Sequence, residues 1–181
     1  MLDSIIVYGS EYGSAQEYAQ ELAKQLKLKC IDYRHFDVKK SYQTIIYIGS
    51  LYTGGVKGMA SSLGKISSHQ YQDLLVASVG LSDPKNQKNT DKIKEHLKKQ
   101  VPNLTIEDEQ IFHLRGAIDY SKLTFIHRIL MGMLYRKVRK TPESQLDAES
   151  RQLLETYNKT VNFIDLTTLD PIIQRYLQIY R

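Results

Sequence analysis

The chain has 181 residues, 41% of them hydrophobic and 25% charged, with a net charge of +5. That length suits one domain with a full core, and the composition is that of a soluble globular protein. Cys30 is the only cysteine, which excludes an intrachain disulfide and a CxxC redox pair and fits a reducing, cytoplasmic setting.

Met1–Asp3 lead straight into an apolar run, without a basic segment or small-residue cleavage site, so no signal peptide is expected. Ser4–Tyr8 (SIIVY) reads as a buried strand ending at Gly9. Ala15–Leu28 follows, with Ala15, Tyr18, Ala19, Leu22, Ala23 and Leu26 on one helix face. Lys29–Tyr33 is a second short strand and Thr44–Ile48 (TIIYI) a third, ending at Gly49-Ser50. A Gly-rich loop, Thr53–Gly58, precedes a short helix near Met59–Lys65. Leu74–Val79 (LLVASV) is the fourth strand, ending at Gly80. Asp91–Gln100 is a polar helix stopped by Pro102, and Gln110–Leu114 a fifth strand reaching Gly116. Lys122–Val138 reads as an apolar and basic helix, Ala148–Ile164 as another, and Thr168–Tyr180 as a last one. No apolar run reaches the roughly 18 residues of a spanning helix, so any membrane contact is expected to be peripheral.

Strands alternating with helices predict an α/β fold: a doubly wound parallel sheet of five strands, order 2-1-3-4-5, with helices on both faces. One domain over 1–181 is expected, extended by the helices near 122–140 and 168–180. Such sheets bind ligands beyond the carboxyl ends of their strands, at the switch point between strands 1 and 3. The loops after Tyr8, Ile48 and Val79 are therefore the candidate site.

The first loop reads Gly9-Ser10-Glu11-Tyr12-Gly13-Ser14-Ala15. Gly13 tolerates positive φ, and successive N–H groups can converge on an anion at the helix N-terminus, with Ser10 and Ser14 as hydroxyl donors. An ordinary strand-to-helix turn with a Ser cap is the plain alternative. The loop is neither a Walker loop nor a Rossmann GxGxxG. It resembles the Ser/Thr-x-Thr-Gly-x-Thr phosphate loop of the flavodoxin family, whose members bind FMN. Ser10 and Gly13 match, whereas Tyr12 and Ala15 replace hydroxyl-bearing residues. Glu11 places a carboxylate beside the expected phosphate, which is unfavourable unless it points outward.

Gly49-Ser50-Leu51-Tyr52-Thr53-Gly54-Gly55 resembles the flavodoxin loop that flanks the isoalloxazine ring. The resemblance implies Tyr52 stacked on the flavin, Leu51 beside it, and close backbone approach at Gly54 and Gly55. Gly80-Leu81-Ser82 stands where the third flavodoxin loop meets the pyrimidine edge, followed by turn chemistry at Asp83-Pro84. The implied cofactor contacts are Ser10–Ala15, Ser50–Gly55 and Gly80–Ser82.

A closer resemblance is to the flavodoxin-type, menaquinone-dependent protoporphyrinogen IX dehydrogenases. It lies in IIVYGSEYGSAQEYA, IYIGSLYTGG, ASVGL and HLRGAIDYSKLTFIHRILMGMLYRKV, the last led by Gly116-Ala117-Ile118-Asp119-Tyr120. It implies an FMN oxidoreductase that passes electrons from a porphyrinogen to a membrane quinone. The 122–140 stretch carries Lys122, Arg128, Arg136, Lys137, Arg139 and Lys140 with no acid, among apolar residues. Such a helix can rest on an anionic membrane, hold an acidic small molecule or protein, or face the core with its cationic end on its own dipole.

Other classes find little support. The five histidines lack HxxxH or HExxH spacing, so no metal site is expected, and His113 in its strand reads as structural. No Gly-x-Ser-x-Gly elbow is present, and Gly9-Ser10 and Gly49-Ser50 stand where a receiver domain needs acidic residues. Nucleic-acid binding is not expected, because no recognised module accompanies the basic stretch. The partners expected are a small-molecule or protein redox partner and a quinone. A non-enzymatic FMN carrier and a flavodoxin-like domain without flavin stay open as alternatives.

Overall fold

The computed structural model describes residues 2–52 and 55–179. In chain order the elements are β1 (Ile5–Gly9), α1 (Ser14–Leu26), β2 (Lys29–Asp32), β3 (Tyr42–Tyr52), β4 (Gly55–Val56) and α2 (Met59–Ser62). They continue with β5 (Tyr71–Gly80), α3 (Gln87–Gln100), β6 (Ile111–Arg115), β7 (Ala117–Asp119), α4 (Phe125–Arg139), α5 (Ala148–Thr156), β8 (Thr160–Asn162) and α6 (Asp170–Ile179). Parallel pairing gives the order β2-β1-β3-β5-β6, the doubly wound order expected from the sequence. The short β4 turns back antiparallel on the end of β3.

Side-chain alternation sorts the strand residues onto two faces. Ile5, Val7, Ile45, Tyr47, Leu74 and Val76 pack with Met59 and Leu63 of the α2 region and with Leu97 and Val101 at α3. Ile6, Ile46, Ile48, Leu75 and Ala77 pack with Ala15, Tyr18, Ala19 and Leu22 of α1. Each fully buried aliphatic side chain stabilises the fold by about 2 kcal/mol. The C-terminal segment completes this second layer: Leu169 and Ile172 of the α6 region are fully buried in the same cluster. Tyr18 ties the layer together, its hydroxyl donating to the Arg115 carbonyl (2.8 Å) and accepting from the Asp165 N–H (2.9 Å).

One predicted helix is corrected. Ala148–Ile164 is not continuous: α5 ends at Thr156, Asn158 takes φ 63, and Thr160–Asn162 form β8. Asn accepts a left-handed conformation more readily than most residues, and Thr160 and Val161 are β-branched and favour a strand. β8 pairs antiparallel with β7, so the Gly116–Tyr120 segment is the edge of a separate two-stranded ribbon. The basic and apolar helix starts at Phe125, where Thr124 Oγ1 accepts from the His127 N–H (3.3 Å) as its N-cap.

Candidate functional site

The three loops meet at the carboxyl edge of the sheet, where β1 and β3 diverge. β1 must end in glycine: a Cβ on Gly9 would lie 2.0 Å from the Lys57 carbonyl oxygen. That carbonyl also accepts the Tyr47 hydroxyl at 2.6 Å, so the turn after β4 is fixed over the end of β1. In the first loop the Gly13 N–H donates to Ser10 Oγ (3.0 Å), and Gly13 takes φ +97 immediately before α1. The N–H groups of Tyr12, Ser14, Ala15 and Gln16 have no partner among the described residues. Unpaired donors at a helix N-terminus form an anion-binding nest.

Ser14 and Glu11 differ from the expectation, whereas Ala15 lies where its place on the α1 face put it. Ser14 is not free as a phosphate donor, because its hydroxyl accepts from the Ala117 N–H at 2.9 Å, donates to the Ala117 carbonyl at 3.4 Å and is buried under the β7 edge. Ala15 is fully buried in the α1 core layer, which explains a small apolar residue there. Glu11 does not point outward: its side chain is only 6% exposed and is paired with Lys57 Nζ and, at 3.0 Å, His127 Nε2. Tyr12 meets the His127 ring edge-on at 5.7 Å. Burial, with Tyr52 nearby as a lesser cause, raises the Tyr12 phenol above its usual range.

The second loop is the β3–β4 hairpin, in which Leu51 faces Val56 and Tyr52 faces Gly55. Thr53 and Gly54 lie outside the described residues. Ser50 is buried, and its hydroxyl accepts from the Glu11 N–H at 3.3 Å, joining the first two loops. Tyr52 has the Lys57 ammonium 5.6 Å from its ring centre. Leu51 packs inward, so close to Gly80 that a Cβ there would lie 2.8 Å from Leu51 Cδ1. At Gly55 the Gln100 side chain approaches closely, and its Oε1 accepts from the Val56 N–H at 2.7 Å.

The third loop is held from behind. The Gly80 carbonyl accepts from the Gly116 N–H (2.7 Å), and the Leu81 carbonyl accepts two bonds from Arg115 (3.1 and 2.8 Å). Arg115 itself lies over the Phe163 ring at 3.7 Å. Leu81 packs in one apolar cluster with Tyr12, Met131, Tyr157 and Val161. Ser82 turns inward: it is buried, donates to Glu149 of α5 and accepts from Asn89 Nδ2 at 2.7 Å. Below this loop His113 Nδ1 is 2.8 Å from Ser78 Oγ, while its Nε2 is buried without a partner. Burial lowers the His113 imidazole to about 4, so it is neutral at physiological pH, in keeping with a structural role. Beside Ser82 a cleft of about 350 Å³ opens between α3 and α5, with Lys88, Lys92 and Arg151 on its walls.

α4 stands against this site on one side only. His127, Met131, Tyr135 and Val138 face the body, and Tyr135 stacks on Tyr157 at 3.9 Å. The opposite face exposes Phe125 (76%), Ile126 (68%), Ile129, Leu130, Met133 (60%) and Leu134, in rows three to five residues apart. Arg128, Arg136, Lys137, Arg139 and Lys140 are exposed beside them. Before this helix, the Asp119 carboxyl is held at about 2 by hydrogen bonds from Ser121 and Thr160. No helix among the described residues is long and apolar enough to cross a membrane. Among the same residues no group of three or more His, Cys, Asp or Glu could hold a metal ion.

A family model described as a flavodoxin domain matches residues 5–145. The chain belongs to the flavodoxin domain family. That match spans all five parallel strands, the three loops and α4. No curated protein sequence matches this chain. Among solved structures, a candidate flavoprotein from Bacteroides eggerthii is 10% identical, over 62% of this chain and 86% of its own, with a TM-score of 0.38. A cysteine-to-alanine mutant of flavodoxin from Pseudomonas aeruginosa is 14% identical, over 75% of this chain and 96% of its own, with a TM-score of 0.33. Membership rests on the domain match. Sequence reasoning missed Lys57, His127, Gln100 and Glu149 of this flavodoxin-domain chain, although an acid inside an anion loop already called for a cationic partner.

Proposed function

We propose that this flavodoxin-domain protein binds FMN across its three loops and acts as an oxidoreductase. The observation that carries the reading is the set of unpaired N–H groups at Tyr12, Ser14, Ala15 and Gln16, beside Gly13 at φ +97. Those N–H groups and the Ser10 hydroxyl would hold the phosphate. Tyr52 would lie along the ring, and the backbone of Gly80 and Leu81 would meet its pyrimidine edge. When bound, FMN supplies one- and two-electron redox chemistry. The chain's own residues orient the group, fix the third loop through Arg115 and Gly116, and shield one side with the Tyr12–Leu81 cluster.

The cleft between α3 and α5 adjoins Ser82, and its polar and charged lining would suit a polar or anionic small molecule beside the third loop. Within the oxidoreductase reading, the resemblance of the Gly116–Tyr120 segment and the following helix to protoporphyrinogen dehydrogenases suggests a porphyrinogen as reductant and a quinone as acceptor. The exposed apolar face of α4, flanked by cations and without acids, suits docking on an anionic membrane surface, where a quinone would be reached. A second reading, a flavodoxin-like domain without flavin, is favoured by the engaged Ser14 hydroxyl and by the carboxylate of Glu11 in the loop.

Adding FMN to the purified protein separates these readings. Quenched flavin fluorescence and a raised melting temperature are expected, and an unaltered protein would support the flavin-free reading. Anaerobic bleaching of the bound flavin by a porphyrinogen, with reoxidation by a quinone, is expected of the enzyme. A bleaching that needs a protein donor would assign the carrier role instead.

A further inference from the structure

Glu11 is the one acidic side chain in the phosphate loop, and it is almost wholly buried between Lys57 of the second loop and His127 of α4. Burying a carboxylate is costly unless partners satisfy it, so these three side chains are placed together by strong mutual constraint. Lys57 is well positioned for more than this pairing. Its backbone is clamped over Gly9 by the Tyr47 hydroxyl, and its ammonium carries three donors on a flexible stem. Its side chain remains 28% exposed, beside the loop and the Tyr52 ring.

Apart from Ser10, the loop offers a doubly charged ligand no free aliphatic hydroxyl and no cation of its own. Tyr12 and Ala15 bring no aliphatic hydroxyl, and the hydroxyl of Ser14 is committed to Ala117. Backbone N–H groups remain, but a phosphate monoester near −2 gains most from a full positive charge.

We propose, resting on the FMN reading, that Lys57 is the cationic phosphate ligand of this site, held at the rim of the loop by Glu11 and assisted by the His127 imidazole Nε2. Glu11 then acts as an internal anion that competes with the phosphate for both partners. The triad makes the site selective for the phosphorylated flavin over riboflavin, which has the same ring and no phosphate. It also joins the loop to α4, because His127 is the first body-facing residue of that helix.

The test measures the dissociation constants of FMN and riboflavin for the full chain and for Lys57→Gln, Glu11→Gln and the double variant, by flavin fluorescence. Inorganic phosphate is titrated in parallel by thermal shift. Lys57→Gln is expected to weaken FMN at least tenfold and leave riboflavin unchanged, and Glu11→Gln to tighten FMN several-fold. The double variant, with no buried charge left unpaired, guards against loss of folding in the single one. An unchanged ratio of FMN to riboflavin affinity in Lys57→Gln and in the double variant overturns the proposal and keeps the FMN reading. Phosphate binding that Lys57→Gln abolishes, in a chain that binds neither flavin, keeps the anion site and overturns the FMN reading. Wild-type protein that binds neither phosphate nor flavin overturns both.

Discussion

The central sheet and helix α4 are built from the same kinds of residue and meet opposite fates. Ile45, Ile46 and Ile48 of β3 are fully buried, because each face of the strand is covered by a helical layer. Phe125, Ile126 and Met133 of α4 are more than half exposed, because only one side of that helix has a neighbour. Apolar content therefore says that a segment needs a partner, and the layer structure says whether the chain supplies it. In the sheet the partner is α1, α2, α3 and α6. On α4 no described residue supplies it.

That contrast can be broken or sharpened by measurement. The largest effect is expected in the sheet, where Ile46→Ala leaves a cavity between β3 and α1 and costs about 3 kcal/mol in denaturant unfolding. A loss near zero would mean that the second layer is not packed as described.

His113 tests a polar group inside the same region. Its folded-state value, about 4, lies below the ordinary 6.5. The unfolded chain therefore binds more protons between those two values, and stability falls as pH drops from about 6.5 to about 4. The loss is about 3 kcal/mol and levels off below that window. His113→Gln should flatten this limb of the pH–stability curve, and an unchanged limb would assign it to another group.

At the loop, Gly13→Val forces a β-branched residue to positive φ and costs about 1–2 kcal/mol. No atom lies within 4 Å of the position its Cβ would take, so the sheet should stay intact by circular dichroism while FMN binding is lost. Retained binding would move the phosphate site elsewhere.

The smallest stability effect belongs to α4. Ile126→Ser with Met133→Ser should change unfolding by less than about 0.5 kcal/mol per site, since both side chains already face solvent. The same pair should abolish sedimentation with vesicles rich in anionic lipid. A large loss of stability would show that this face is covered by another part of the chain or a second copy.

The sequence carried most of the fold because its signals are local. The runs SIIVY, TIIYI and LLVASV are apolar on both faces, and Ala15, Tyr18, Ala19 and Leu22 repeat at helical spacing. The β7–β8 ribbon was hidden because it pairs Ala117–Asp119 with residues about 40 positions later, past a helix-like pattern broken only at Asn158. In the site, Gly13 was legible from its chemistry alone. The partners of Glu11 were not: Lys57 and His127 reach it only once β3, β4 and α4 are folded. The roles of Ser14 and Leu51 likewise depend on tertiary neighbours, Ala117 and Gly80, that no local spacing reveals.

The central claim is that the Gly13 loop and its two companions hold FMN. A fluorescence titration of FMN with wild-type protein and with Gly13→Val tests it most directly. Saturable quenching at one FMN per chain in the wild type, absent in the folded variant, is the predicted result. Equal quenching by both proteins, or none by either, would contradict the account.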